Sequence, residues 1–372
     1  MAQPTIHQPI HPDIADRLLG EYAAFHNAHI AHTVPVHEMP WSPAIRNAPA
    51  VMGGSEPLKV GAVKDYPLSK CSVRVFTPEG EPPADGWPVF IFYHGGGWTL
   101  GTINAENAFS TNMCKRAQCV VVSVDYRLGP EEPYPAAVED SVEALKWVHT
   151  KGKAELGINP AHIAVGGSSR LVRLRRKINR NSPITSGGNL AAIVAHKAAL
   201  AEPPIPLVFQ LLVVPVVDNT ASTTDTRYPS WQENINTIAL VPAKMLWFRD
   251  NYSPNKEDWT KWDNSPIFAP EESFKKAPPA WIGVAELDIL RDEGIAYGDK
   301  LKNAGVSVEV KVYKGAPHPI MAMDGKWRLS VLRCPTNLID VDLPYRSTGA
   351  LEIGKQLVSE AAAALAKAFG TA

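Results

Sequence analysis

The 372 residues include only four cysteines, Cys71, Cys114, Cys119 and Cys334, with no CxxC pair and no histidine cluster at zinc spacing. No disulfide framework or structural zinc is expected, and the thiols read as ordinary buried or surface groups. No apolar run approaches the length of a membrane span. The N-terminus, MAQPTIHQPIHPDIADRL, lacks a basic segment followed by an apolar one. No signal peptide is read, and the cytoplasm is the expected compartment. Charge of one sign is missing too: 37 basic residues face 38 acidic ones, a net of −1. That balance argues against a nucleic-acid binder, whose affinity rests on many Lys and Arg facing phosphates. Neither an internal repeat nor a low-complexity segment occurs. A chain this long buries a large core without disulfide or metal.

What is present is an alternation of apolar strands and helices. CSVRVFTP alternates, and WPVFIFY, CVVVSVDY, HIAV, LVFQLLVVPVV, AWIGVAEL and VSVEVKVY are largely continuous apolar runs. Helical patterns lie between and around them: DIADRLLGEYAAFHN, SVEALKWVHTKGKAEL and the C-terminal LVSEAAAALAKAF. The expectation is one α/β domain over residues 1–372, with a mostly parallel central sheet flanked by helices. Residues 1–50 and 219–262 are irregular or polar, and are expected to form a helical cap. In such sheets ligands bind beyond the carboxyl ends of the strands.

The residues at those ends carry chemistry. HGGGW follows the strand WPVFIFY. Three successive glycines cost backbone entropy. They suit a plain tight turn, or a backbone whose N–H groups approach a developing oxyanion. Asp288 follows AWIGVAEL, and His318 follows VSVEVKVYKGAP. Alone, each reads as a loop residue. Together they supply the last two members of the order Ser…Asp…His, the triad order of α/β-hydrolases. The serine is not in plain view, because no uninterrupted GxSxG elbow lies between Val165 and Ala199. Leaving out residues 170–185 restores one: Gly167-Ser168-Ser169-Ser186-Gly187, between the strand HIAV and a helix.

HGGGW, DYRLGPEEPYPAAVED, the split GGSS…SGGNLA, and LDILRDEG followed by His318 resemble, in this order, the hormone-sensitive-lipase-like (HGGG) family of α/β-hydrolase esterases. The resemblance spans about Val89 to His318. It implies hydrolysis of short-chain carboxylic esters without metal or cofactor. Ser169 is then the nucleophile, His318 the general base and acid, and Asp288 the group that orients His318. The oxyanion hole is expected among Gly95, Gly96, Gly97 and Ser186. The expected partner is a small-molecule ester; no nucleic acid or membrane span is expected, and the oligomeric state stays open. One departure is Ser168, where the family usually has Asp. The other is the interruption of the elbow.

The interrupting segment, 170–185, holds six basic residues and no acid. A second stretch, 326–349, can also be lifted out, leaving a smooth join into the last helix. Gly325-Lys326-Trp327 and Arg170-Leu171-Val172 can both be encoded with intron-donor sequences, and Ser186 as AGC supplies an acceptor. Both segments are therefore read as translated introns; two genuine loops are the alternative. Without them the chain has 27 basic and 36 acidic residues. The insert at 170–185 is expected to be exposed and poorly ordered, with the helix from Gly187 intact. Two further readings remain at this level: a pseudoenzyme with a broken elbow, and a small-molecule receptor on the same scaffold, which the retained His318 disfavours.

Overall fold

Apolar runs that cannot face water assemble the centre of the fold. In the computed structural model, residues 5–47, 55–104, 106–174, 180–320, 324, 326–327 and 349–372 are described, with backbone alone at 47, 169–174, 180–185, 326–327 and 349–350. Strands β1 (Ala62–Pro67), β2 (Ser72–Thr77), β3 (Trp87–Tyr93), β4 (Val120–Asp125) and β5 (Ile158–Gly167) come first. A hairpin follows, β6 (Ser169–Leu174) and β7 (Arg180–Thr185), then β8 (Phe209–Val213), β9 (Ala280–Leu287) and β10 (Val308–Pro317). Eight of these form one sheet in the order β1-β2-β4-β3-β5-β8-β9-β10. Pairing is parallel from β4 through β10 and antiparallel at β1–β2 and β2–β4.

Helices cover both faces, as a parallel sheet requires. α3 (Asn107–Arg116), α4 (Ala136–Leu156), α5 (Gly187–Ala199), α9 (Arg291–Asn303) and α10 (Glu352–Phe369) flank the strands; α1 (Pro12–Ala15) and α2 (Gly20–His29) precede β1, and α6 (Ser230–Glu233), α7 (Pro242–Tyr252) and α8 (Glu271–Lys275) lie between β8 and β9. Two apolar clusters result. Val89, Ile91, Val122, Leu145, Ile193 and Val284 sit in one, and Phe90, Phe92, Val121, Leu211, Trp281 and Leu365 in the other. Alternate residues of β3 thus point to opposite clusters, the period-two signature of a strand buried on both faces.

Local chemistry moves some boundaries from the expected places. DIADRLLGEYAAFHN is two helices, because Leu19 is extended (φ −54°, ψ 127°) and gives its N–H to the Gly315 carbonyl at 3.0 Å. The run LVFQLLVVPVV pairs only as Phe209–Val213, since Val214 turns to φ 43° ahead of Pro215. β1 was not foreseen: an exposed edge strand has no apolar run to reveal it. In the 170–185 segment the backbones of the two arms form an antiparallel ladder from Ser169↔Thr185 to Leu174↔Arg180, and its expected exposure lies outside the described residues. The helix from Gly187 is intact. Two-residue strands β11 (Lys326–Trp327) and β12 (Gly349–Ala350) pair where the second segment begins and ends. Residues 328–348, with Cys334, lie outside the described residues.

Both candidate cap segments meet over β9. Ile14, Leu18, Tyr22 and Phe25 pack with Ile238, Leu287 and Leu351, while Val36 and Ile45 pack with Leu100 and Phe248. Among the described residues, no helix is long and apolar enough to cross a membrane.

Lys244, on α7, is buried, and its Nζ donates to the Ala239 carbonyl at 2.6 Å. Burial lowers its pKa from 10.5 to about 7. Between those values the unfolded chain holds a proton that the folded chain lacks, so stability rises with pH there, by up to about 1.4 kcal/mol per pH unit. Below the folded pKa both states are protonated and this contribution to the slope vanishes. Lys244→Met is expected to remove the rise. Urea unfolding of parent and variant from pH 6 to 10 checks it, and parallel curves would refute the assignment.

Candidate active site

β3, β5, β9 and β10 run in one direction, so the residues following them gather along one edge of the sheet. After β9 comes Asp288 and after β10 comes His318, each 1% exposed. Asp288 Oδ2 lies 2.6 Å from His318 Nδ1, and its Oδ1 accepts the Leu290 N–H at 3.1 Å. One carboxylate thus holds the imidazole by the nitrogen nearer the backbone and is itself held by the turn into α9. Further bonds fix both loops. Asn234 Nδ2 donates to the Asp288 carbonyl at 3.0 Å, and Ser230 Oγ to that of Ile289 at 2.6 Å. Glu286 Oε2 accepts the Gly315 N–H at 2.7 Å, tying the end of β9 to the approach to His318.

The glycine loop after β3 folds back on itself. Leu100 and Thr99 donate N–H groups to the Gly96 carbonyl at 2.7 and 3.1 Å. Gly96 has φ 154°, and a Cβ there would stand 1.8 Å from the Leu100 carbonyl oxygen, so no side chain fits. Gly97 is left-handed at φ 56°. Gly95 has to be removed from the expected oxyanion donors. Its N–H is given to Glu106 Oε1 at 2.9 Å, a buried charge-assisted bond that leaves that hydrogen no second task.

Between β5 and α5 the two glycines of the split elbow are in contact. A Cβ on Gly167 would lie 2.0 Å from the Gly187 carbonyl oxygen, and one on Gly187 would lie 1.9 Å from that of Tyr93. Gly187 donates its N–H to the Ser168 carbonyl at 3.1 Å, and Ser168 donates its own to the Tyr93 carbonyl at 3.3 Å. Strand end and helix start therefore stand as close as an elbow needs, although sixteen residues, 170–185, separate Ser169 from Ser186. Ser169 opens the hairpin opposite Thr185. Its side chain lies outside the described residues, so its expected place beside His318 is not described. Ser186 is buried at the start of α5, with its Oγ 2.8 Å from the Tyr126 hydroxyl.

Several residues that shape the site were not singled out from the sequence. Tyr126 donates its hydroxyl to the His94 carbonyl at 2.8 Å and stacks on the His94 ring, centroids 4.3 Å apart. Arg127, held by Asp140 at 2.8 Å, anchors the same DYR stretch to α4. Glu106, beyond the glycine loop, reaches back to it. Only their place in DYRLGPEEPYP could have marked the first two, and a lone glutamate carries no spacing signal.

A family model described as the alpha/beta hydrolase fold matches residues 90–170 and 184–322. Residues 171–183 fall between the two matched parts. Over 328 residues the chain is 43% identical to an AB hydrolase superfamily protein of Schizosaccharomyces pombe, covering 85% of this chain and 91% of the relative. It is 38% identical over 247 residues to Carboxylesterase NlhH of Mycobacterium tuberculosis, covering 65% and 69%. Among solved structures it is similar to a thermostable esterase from Pseudomonas putida, with a TM-score of 0.73, 28% identity, and coverage of 95% and 98%.

Proposed function

The chain belongs to the alpha/beta hydrolase fold family and is a carboxylic ester hydrolase, and from that premise we propose that it cleaves short-chain esters through an acyl-enzyme on Ser169. The observation that carries this reading is the buried Asp288–His318 pair, 2.6 Å apart at the carboxyl ends of adjacent parallel strands. With Nδ1 committed to Asp288, Nε2 is the nitrogen through which His318 exchanges protons. In this mechanism the Ser169 hydroxyl gives its proton to Nε2 as Oγ adds to the ester carbonyl. The N–H groups of Gly96 and Gly97 stabilise the oxyanion, and that of Ser186 is the third donor where it directly follows Ser169. Imidazolium then protonates the departing alkoxide, and the acyl group stays on Oγ. A water, deprotonated by His318, releases the carboxylic acid and restores the serine. Asp288 fixes the tautomer throughout and keeps its own negative charge. Segments 1–50 and 219–262 serve as the cap, which limits the room for the acyl chain.

The interruption of the family match at 171–183, and the pairing at the base of both excursions, support reading 170–185 and 326–349 as inserts in an otherwise ordinary member of the family. The test is a series of 4-nitrophenyl esters from acetate to decanoate, with the adduct of a fluorophosphonate mapped by peptide mass spectrometry. Turnover should favour the short end of the series, and the label should sit on Ser169. A label on Ser168 or Ser186 would overturn the nucleophile assignment.

A further inference from the structure

We propose that Glu106 is a positioning residue that locks the glycine loop to the elbow, a role that rests on the ester-hydrolase reading of this site. Glu106 is the residue just before α3, yet its side chain does not cap that helix. It turns inward instead, and the residue is 7% exposed. Oε1 accepts the Gly95 N–H at 2.9 Å, and Oε2 accepts the Ser168 hydroxyl at 2.5 Å. One carboxylate thus spans two chain segments that sequence separates widely: the turn after β3, and the turn after β5. Gly95 directly precedes the proposed oxyanion donors, and Ser168 directly precedes the proposed nucleophile.

The geometry of the chemistry depends on how these two turns sit against each other. Donors must lie about 2.7–3.1 Å from the oxyanion, so a shift of a few tenths of an ångström between the turns weakens them. A Gly-Gly-Gly segment has little stiffness of its own. The loop is held at its far end by the bonds of Thr99 and Leu100 to Gly96. Near the elbow, Glu106 adds a side-chain bridge to the bonds of the Ser168 N–H to the Tyr93 carbonyl and of Ser186 Oγ to the His94 carbonyl. Both of its bonds are buried and charge-assisted, the class in which losing one partner costs most. Ser168 completes the arrangement. It stands where the family usually has Asp, and here the carboxylate comes to that point from the residue that precedes α3. A second carboxylate at 168 would face Glu106 directly.

Four variants of the full chain test this: Glu106→Ala, Glu106→Gln, Ser168→Ala, and Glu106→Ala with Ser168→Ala. Hydrolysis of a fluorogenic acetate ester gives kcat and KM, circular dichroism confirms folding, and hydrogen exchange follows residues 93–101. Glu106→Ala should lower kcat by about thirtyfold, with KM within twofold, and should speed exchange of the glycine loop about tenfold while β4 is unaffected. Glu106→Gln keeps an acceptor for Gly95 and a group that bonds Ser168, so it should stay within threefold of the parent in both readouts. The double variant should lose no more than Glu106→Ala alone, because both substitutions break one bridge. Losses that multiply, or exchange unchanged in Glu106→Ala, would overturn the proposal. Turnover that persists in Ser169→Ala would instead overturn the reading of the active site, and the exchange measurement would still decide whether Glu106 holds the loop.

Discussion

Replacing His318 by alanine is expected to lower ester turnover by roughly 10⁴-fold or more, with KM changed little. The imidazole takes a proton from the nucleophile and returns it to the leaving group, so its removal disables both halves of the reaction. Its contribution belongs to the transition state, which is why kcat should carry the loss. Asp288→Asn should cost nearly as much, about 10⁴-fold, for a different reason. The carboxylate accepts from His318 Nδ1 at 2.6 Å and from the Leu290 N–H at 3.1 Å. An asparagine keeps one acceptor, and the Leu290 bond holds it in that place. The amide nitrogen then faces Nδ1 as a donor, so the ring proton moves to Nε2. A ring protonated there cannot accept from serine. Steady-state kinetics on the two substitutions, made in the chain shortened by residues 170–185 and 326–349 and compared with that shortened chain at matched folded concentration, checks both. A loss below tenfold in either would remove that residue from the mechanism.

These two residues were legible because a parallel sheet concentrates function at one edge. Once the apolar runs are recognised as strands, the position after each is informative, and Asp288 and His318 each follow one. HGGG stands at the same edge of the sheet, directly after the buried strand β3. What stayed hidden depends on contacts between distant segments. Glu106 is one acid among 38, and nothing in its neighbourhood distinguishes it until the fold sets it against Gly95 and Ser168. Gly95 was grouped with Gly96 and Gly97 because sequence cannot say which of three identical N–H groups is already spent. The pairing of the two arms of the insert is carried by residues such as Val172 and Ile184, whose high strand preference stands among six basic residues that mask any apolar pattern.

Deleting residues 170–185 and 326–349 is expected to raise ester turnover by roughly a hundredfold or more. The chain as it stands should hydrolyse a short-chain aryl ester weakly. Ser169 begins an extended strand, with Arg170 after it, whereas the mechanism needs a sharp turn there and the Ser186 N–H next in line. Loss of one oxyanion donor alone typically costs about 10²–10³ in turnover. The deletion asks little of the rest of the molecule. Ser169 faces Thr185 across the antiparallel ladder, so their Cα atoms are about 5 Å apart. A direct peptide link to the next residue, Ser186, spans about 3.8 Å. Gly187 already donates to the Ser168 carbonyl at 3.1 Å, so the start of α5 need hardly move. The second excursion closes at its base through Lys326↔Ala350 and Trp327↔Gly349. Closing an excursion of 16 residues costs roughly 2.5 kcal/mol of chain entropy, so the shortened chain should unfold at no lower a temperature than the parent. Ser169→Ala in the shortened form should abolish its activity. Equal turnover in the full and shortened chains would show instead that the hairpin is a working part of the site and that Ser169 reaches the ester from the first residue of a strand.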